Sequence, residues 1–85
     1  MSLANLRAVV AVAETGSFTE AARKLGRSHA TVSRAVASVE RDLGGVRLFD
    51  RDGAGTEVTA DGEKFARDID AALEAIEVAV SKLGR

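Results

Sequence analysis

Eighty-five residues make one small domain and leave no room for a second. With no cysteine and one histidine, disulfides are excluded, a structural zinc site lacks its ligands, and a reducing cytoplasm is the expected setting. Twelve Lys and Arg against thirteen Asp and Glu give a net charge of −1, which at first sight speaks against a nucleic-acid partner. A domain this size buries only about 60–65% of its unfolded surface, so help from a partner chain is expected. No apolar run approaches the roughly 20 residues needed to span a bilayer, and the start lacks the layout of a signal peptide. Proline is absent, so glycine must punctuate the chain.

Leu3, Leu6, Val9, Val10, Val12 and Ala13 recur at helical spacing and predict an amphipathic helix from Leu3 to Thr15. Gly16 is its left-handed stop. Ser17 followed by Glu20 reads as a capping box. Phe18, Ala21, Ala22 and Leu25 form the apolar face of a short second helix, closed by Gly26. Ser28 caps a third helix only two residues further on.

In that third helix, residues 28–43, Val32, Ala35, Val36, Val39 and Leu43 fall on the core side at 100° per residue. Ala30, Ser33, Arg34, Ala37 and Arg41 share a narrow outward arc that contains no acid. Thr31 points to the side of that arc. Two helices joined by a tight glycine turn, the second with such a face, predict a helix-turn-helix. The second helix of that motif lies in the DNA major groove.

Gly44-Gly45 ends the third helix. Val46 to Arg51 reads as a short strand, Asp52-Gly53-Ala54-Gly55 as a turn, and Thr56 to Val58 as a return strand. This two-stranded wing must lean on the helices through Leu48, Phe49 and Val58, because an isolated hairpin is marginal in water. Thr59 caps a long helix running to about Lys82. Phe65, Ile69, Ala72, Ile76, Ala79 and Leu83 follow alternating spacings of four and three, a heptad seam. Leu73 and Val80 widen it. At about 36 Å, this helix outruns three small helices, so its outer half is expected to pack on a second copy. The predicted fold is therefore mainly α: a winged helix-turn-helix over residues 1–58 followed by a dimerisation helix over 59–85.

Nothing in the chain looks catalytic. It has no cysteine nucleophile, its one histidine falls on the outward face, and Gly53-Ala54-Gly55 is too short to cradle a phosphate. No metal, cofactor or enzymatic activity is expected.

Phe18 to Leu25, Ser28, Val32-Ser33-Arg34, Glu40, Leu43-Gly44, Leu48 to Arg51 and Thr59 to Gly62 together resemble the N-terminal region of LysR-type transcriptional regulators. The resemblance runs from about Leu6 to the end of the last helix. It implies a winged helix-turn-helix that binds double-stranded DNA and a linker helix that pairs two subunits. It implies that His29, Ala30, Ser33 and Arg34 face base edges or adjacent phosphates, and that Arg51 and the wing approach the backbone or minor groove. By their own chemistry Arg27 and Ser28 are candidates to hold phosphates, and Thr31, to the side, is a weaker DNA-contact candidate. Arg34 is the foremost candidate, since a bidentate guanidinium on guanine is the commonest specific contact.

Three departures stand out. His29-Ala30 replaces the family's usual Gln-Pro. Gly45 is one residue extra before the wing. The wing tip carries none of the usual basic residues. The family also continues into an effector-binding domain. Here the chain stops at Arg85, as a stand-alone unit or as a piece cut at the end of the linker helix, and no small-molecule effector is expected for these residues. A protein-interaction or dominant-negative module, pairing with a full-length regulator through the seam, is the alternative. A related winged-helix regulator of the molybdate-responsive type would share these features.

Taken by segment, the net charge changes its meaning. Residues 21–51 carry seven cations against Glu40, Asp42 and Asp50. The acidic surplus lies elsewhere, six of the acids being on residues 59–85.

Overall fold

The computed structural model describes residues 1–53 and 55–84; Ala54, which belongs to the expected wing turn, and Arg85 lie outside the described residues. The elements are α1 (Leu3–Thr15), α2 (Phe18–Leu25), α3 (His29–Asp42), β1 (Phe49–Asp50), β2 (Glu57–Val58) and α4 (Ala60–Gly84). The two strands pair antiparallel with Phe49 opposite Val58 and Asp50 opposite Glu57. This is a winged helix-turn-helix followed by a long helix.

The helix ends follow from local chemistry. Ser2 accepts the Asn5 N–H at 3.1 Å and starts α1. Gly16 at φ 70 and Gly26 at φ 66 stop α1 and α2 in the left-handed region, where a side chain is strained. The expected capping box at α2 is half made. Ser17 Oγ accepts the Glu20 N–H at 3.1 Å. The Ser17 N–H goes instead to Thr15 Oγ1 at 3.3 Å, and the Glu20 carboxylate sits 3.6 Å from the Arg23 guanidinium. A neighbouring cation one turn along competes for the carboxylate that the box would use.

The core gathers Val9 and Val12 of α1, Phe18 and Ala21 of α2, and Val32, Val36 and Val39 of α3 around Leu48 and Phe49. The helix α1 is the hub, packing against α2, α3 and α4. Among the described residues no buried side-chain polar atom lacks a hydrogen-bond partner.

The wing strands are shorter than the sequence predicts. Val46, Arg47 and Leu48 lie outside β1, and Thr56 lies outside β2. At the wing root one main-chain bond to the facing segment remains, and side chains take the other backbone groups. The Leu48 N–H donates to Glu40 Oε2 at 2.7 Å. Thr59 Oγ1 donates to the Arg47 carbonyl at 2.7 Å, and the Thr59 N–H donates to the Leu48 carbonyl at 3.0 Å. Thr59 also caps α4, its Oγ1 accepting the Gly62 N–H at 2.9 Å. Gly62 is needed for contact rather than for its dihedral angles: a Cβ there would run into the Leu48 carbonyl oxygen.

The helix α4 runs antiparallel to α1 and extends beyond it, within overall dimensions of 45 × 25 × 18 Å. Phe65 packs against the core from the side and Ala66 is buried in it. Leu73, placed in the seam by its spacing, is covered within its own chain, beside Val10 and Ala11 where α4 crosses α1. One turn on, Arg7 of α1 reaches Glu77 at 3.1 Å. From there outward Ile76, Val80 and Leu83 are exposed, as is Val78, which the heptad reading omits.

Candidate nucleic-acid interface

The α2–α3 turn and the wing root build one continuous surface, and Phe18 is its hidden foundation. The Phe18 side chain is buried. Its ring meets Phe49 edge-on at 5.8 Å and the His29 imidazole at 6.0 Å. The Arg51 guanidinium lies over the ring at 3.9 Å from the centroid. One apolar ring thus carries a residue of the wing and the first residue of α3.

The start of α3 is set by Ser28, whose Oγ accepts the Thr31 N–H at 3.1 Å. Its hydroxyl lies 2.9 Å from Thr31 Oγ1. First-turn N–H groups of a helix have no partner within the helix and point along its axis, a ready site for an anion. His29, Ala30, Arg34, Ala37 and Arg41 are exposed on the outward side, and Ser33 and Thr31 are half-buried. The outward arc read from the periodicity is therefore a real surface. Ser33 Oγ accepts a hydrogen bond from Arg51 Nη1 at 3.1 Å. Arg34 Nη2 reaches Thr31 Oγ1 at 3.5 Å, a contact too long to hold the guanidinium.

The surrounding cations divide into two groups. Lys24 is held by Glu14 at 2.8 Å, and Arg23 lies near Glu20. Arg27, Arg34, Arg41 and Arg47 make no ion pair among the described residues. Those four remain open to an anionic partner along α3 and its flanks. Among the described residues no group of three His, Asp or Glu is placed to hold a metal ion. Among the described residues no helix is long and apolar enough to cross a membrane.

Two features of the surface are not visible in the sequence. The Arg51–Ser33 bond joins residues 18 apart, and the Glu40–Leu48 bond joins residues 8 apart. Each bond joins two separate elements, so no pattern within one helix or strand announces it.

Comparison with known proteins decides the family. The description "Bacterial regulatory helix-turn-helix protein, lysR family" matches residues 3–63. The chain belongs to the LysR family. This LysR-family chain is 48% identical over 65 residues to a probable nitrogen assimilation transcriptional activator of Synechococcus elongatus, covering 76% of the chain and 20% of that protein. It is 40% identical over 81 residues to the AhcY transcriptional activator HvrB of Rhodobacter capsulatus, covering 95% of the chain and 27% of that protein. The chain thus spans roughly a quarter of the length of these curated relatives. Among solved structures it resembles the BenM DBD in its complex with catB site 1 DNA. The TM-score is 0.92 at 34% identity, covering 100% of this chain and 93% of that one.

Proposed function

We propose that this LysR-family chain is the sequence-reading part of a transcription regulator. In this reading it binds double-stranded DNA with α3 in the major groove and works in the bacterial cytoplasm as a homodimer. The observation that carries the proposal is the acid-free outward face of α3, with Arg34 exposed at its centre and held by no acid. The likeness to a DNA-bound BenM domain supports it.

Each residue of the face has a task suited to its chemistry. Arg34 reads guanine through its two-pronged guanidinium, a contact worth about 1–3 kcal/mol of discrimination. Ser33 and His29 offer hydrogen bonds to base edges, and Ala30 offers a methyl group to thymine. Arg27, Ser28 and the free N–H groups of the first turn hold phosphates and fix the register. Thr31 supports this end through its bond with Ser28. Arg51 belongs to the same surface through Phe18 and Ser33.

Residues 59–85 serve as the dimerisation helix, with Phe65, Ile69, Ala72, Ile76, Ala79, Val80 and Leu83 along the seam and Leu73 at its inner margin. Two copies place two recognition helices on half-sites about 34–36 Å apart, or further if the helices splay. The same exposed residues, Val80 and Leu83, would equally suit the alternative in which the seam pairs with a longer regulator and silences it.

Selection of bound sites from a random DNA pool tests both. Sedimentation of the protein with and without the selected DNA shows whether it binds as a homodimer. Recovery of a partly palindromic site is expected, and binding to no DNA at low salt would overturn the DNA reading. Arg34→Ala should weaken the selected site about 10-fold or more beyond its effect on random DNA at matched salt. Equal losses on both would remove Arg34 as a base reader.

A further inference from the structure

From residue 49 to residue 58 Arg51 is the only cation, set among Asp50, Asp52 and Glu57. It is also the best anchored cation of the interface. Its guanidinium Cζ stands 3.9 Å from the Phe18 ring centroid, and Nη1 donates to Ser33 Oγ at 3.1 Å. Phe18 cannot drift, because it is 3% exposed and Phe49 abuts its edge. A planar donor resting on a fixed ring has its direction set, which a lysine ammonium on a flexible stem does not reproduce.

The consequence falls on Ser33. A serine hydroxyl has one proton to give and lone pairs to receive, and free serine therefore reads donor and acceptor base edges alike. Here a cation takes one of the two lone pairs. Among the described residues the Ser33 hydroxyl donates to no protein group. The hydroxyl proton is left for an outside acceptor.

We infer that Arg51 is a positioning residue that sets base preference through Ser33: its bond to the serine oxygen turns the hydroxyl toward donating, and so favours base edges that present an acceptor, guanine O6 and N7, adenine N7 or thymine O4. Arg51 itself reads no base and holds no phosphate. The inference rests on the reading that α3 enters the major groove, and it assigns the wing a role inside the protein rather than on the minor groove. It fits the acidic surroundings of Arg51, which would repel a phosphate backbone.

The experiment compares site selection and salt dependence for the intact chain, Ser33→Ala, Arg51→Met and Arg51→Lys. Ser33→Ala marks the base pair that Ser33 reads by relaxing the preference there. Both Arg51 variants should relax the same base pair, lowering affinity for the selected site about 5- to 20-fold. They should leave affinity for random DNA nearly unchanged. The slope of log affinity against log salt should be the same for Arg51→Met as for the intact chain. Loss of one phosphate contact would instead lower that slope by about 0.9 and leave base preference intact, and that result overturns the inference. So does an equal loss on selected and random DNA, or retention of the preference by Arg51→Lys. An unchanged site for Ser33→Ala also overturns it.

If an Arg51 variant fails to fold, NMR of the unaltered protein without DNA decides. The clamp predicts resolved, ring-shifted Arg51 side-chain signals, and the averaged signals of a free arginine would overturn it. Failure of the intact chain to select any site counts against the DNA reading itself, and the NMR result still judges the clamp.

Discussion

The two halves of α4 carry the same spacing of apolar residues and meet opposite fates. In the inner half Phe65 and Ile69 are half-buried and Leu73 is 6% exposed, Ala72 alone of these being exposed. In the outer half exposure climbs from 39% at Ile76 to 64% at Val80 and 84% at Leu83. The boundary is set by the length of the neighbour. The helix α1 has 13 residues, about 20 Å, against 25 residues and about 38 Å for α4. The Arg7–Glu77 pair marks where the cover ends. A heptad stripe announces that an apolar surface needs covering; the body that covers it is decided turn by turn.

The largest effect should come from cutting the inner half. Leu73→Ala removes a buried side chain where α4 meets α1 and should cost about 3 kcal/mol. The melting temperature should fall by about 10–20 °C, by the same amount in dilute and concentrated solution. A loss that appeared only at high concentration would place Leu73 in an interface between copies instead. Gly62→Ala should follow at about 2 kcal/mol by thermal unfolding, because the methyl group must displace the Leu48 carbonyl. Alanine favours helices over glycine by about 1 kcal/mol, so a stabilised variant would mean that the wing root yields easily.

The outer half should respond in the opposite way. Val80→Asp combined with Leu83→Asp should leave the unfolding free energy of the separated chain within about 0.5 kcal/mol, as surface changes do. The same pair should raise the dissociation constant of the proposed dimer at least about 10-fold in sedimentation experiments, through two charges placed in an apolar seam. Unfolding of the dilute chain would show that the outer half stabilises its own domain. The smallest effect belongs to the boundary itself. Arg7 and Glu77 have side-chain exposures of 40% and 62%, so Glu77→Gln should cost no more than about 0.5 kcal/mol in urea unfolding, and less still at high salt.

Much of the interface was legible for a simple reason: α3 is an amphipathic helix, and its periodicity separates Val32, Val36 and Val39 from Ala30, Arg34 and Ala37 without reference to any other element. The serines that start α2 and α3 and the glycines after α1 and α2 were equally open to reading, because caps are local bonds across three or four residues. The wing was harder. Its strands are two residues each, and at their root Glu40 accepts the Leu48 N–H while the Thr59 hydroxyl donates to the Arg47 carbonyl. Phe18 was read as one more apolar position of α2, although its ring also carries Arg51 and His29.

Local chemistry along the chain was enough for the helices, the serine caps of α2 and α3, the glycine stops of α1 and α2, the outward arc of α3 and the seam of α4, since each depends on residues within a turn or two of one another. Tertiary structure alone decided which part of the seam is covered, how far the wing strands run, and what Arg51 touches. Those outcomes depend on where separate elements come to rest, and contacts such as Arg51 to Ser33 join elements whose own patterns do not show each other.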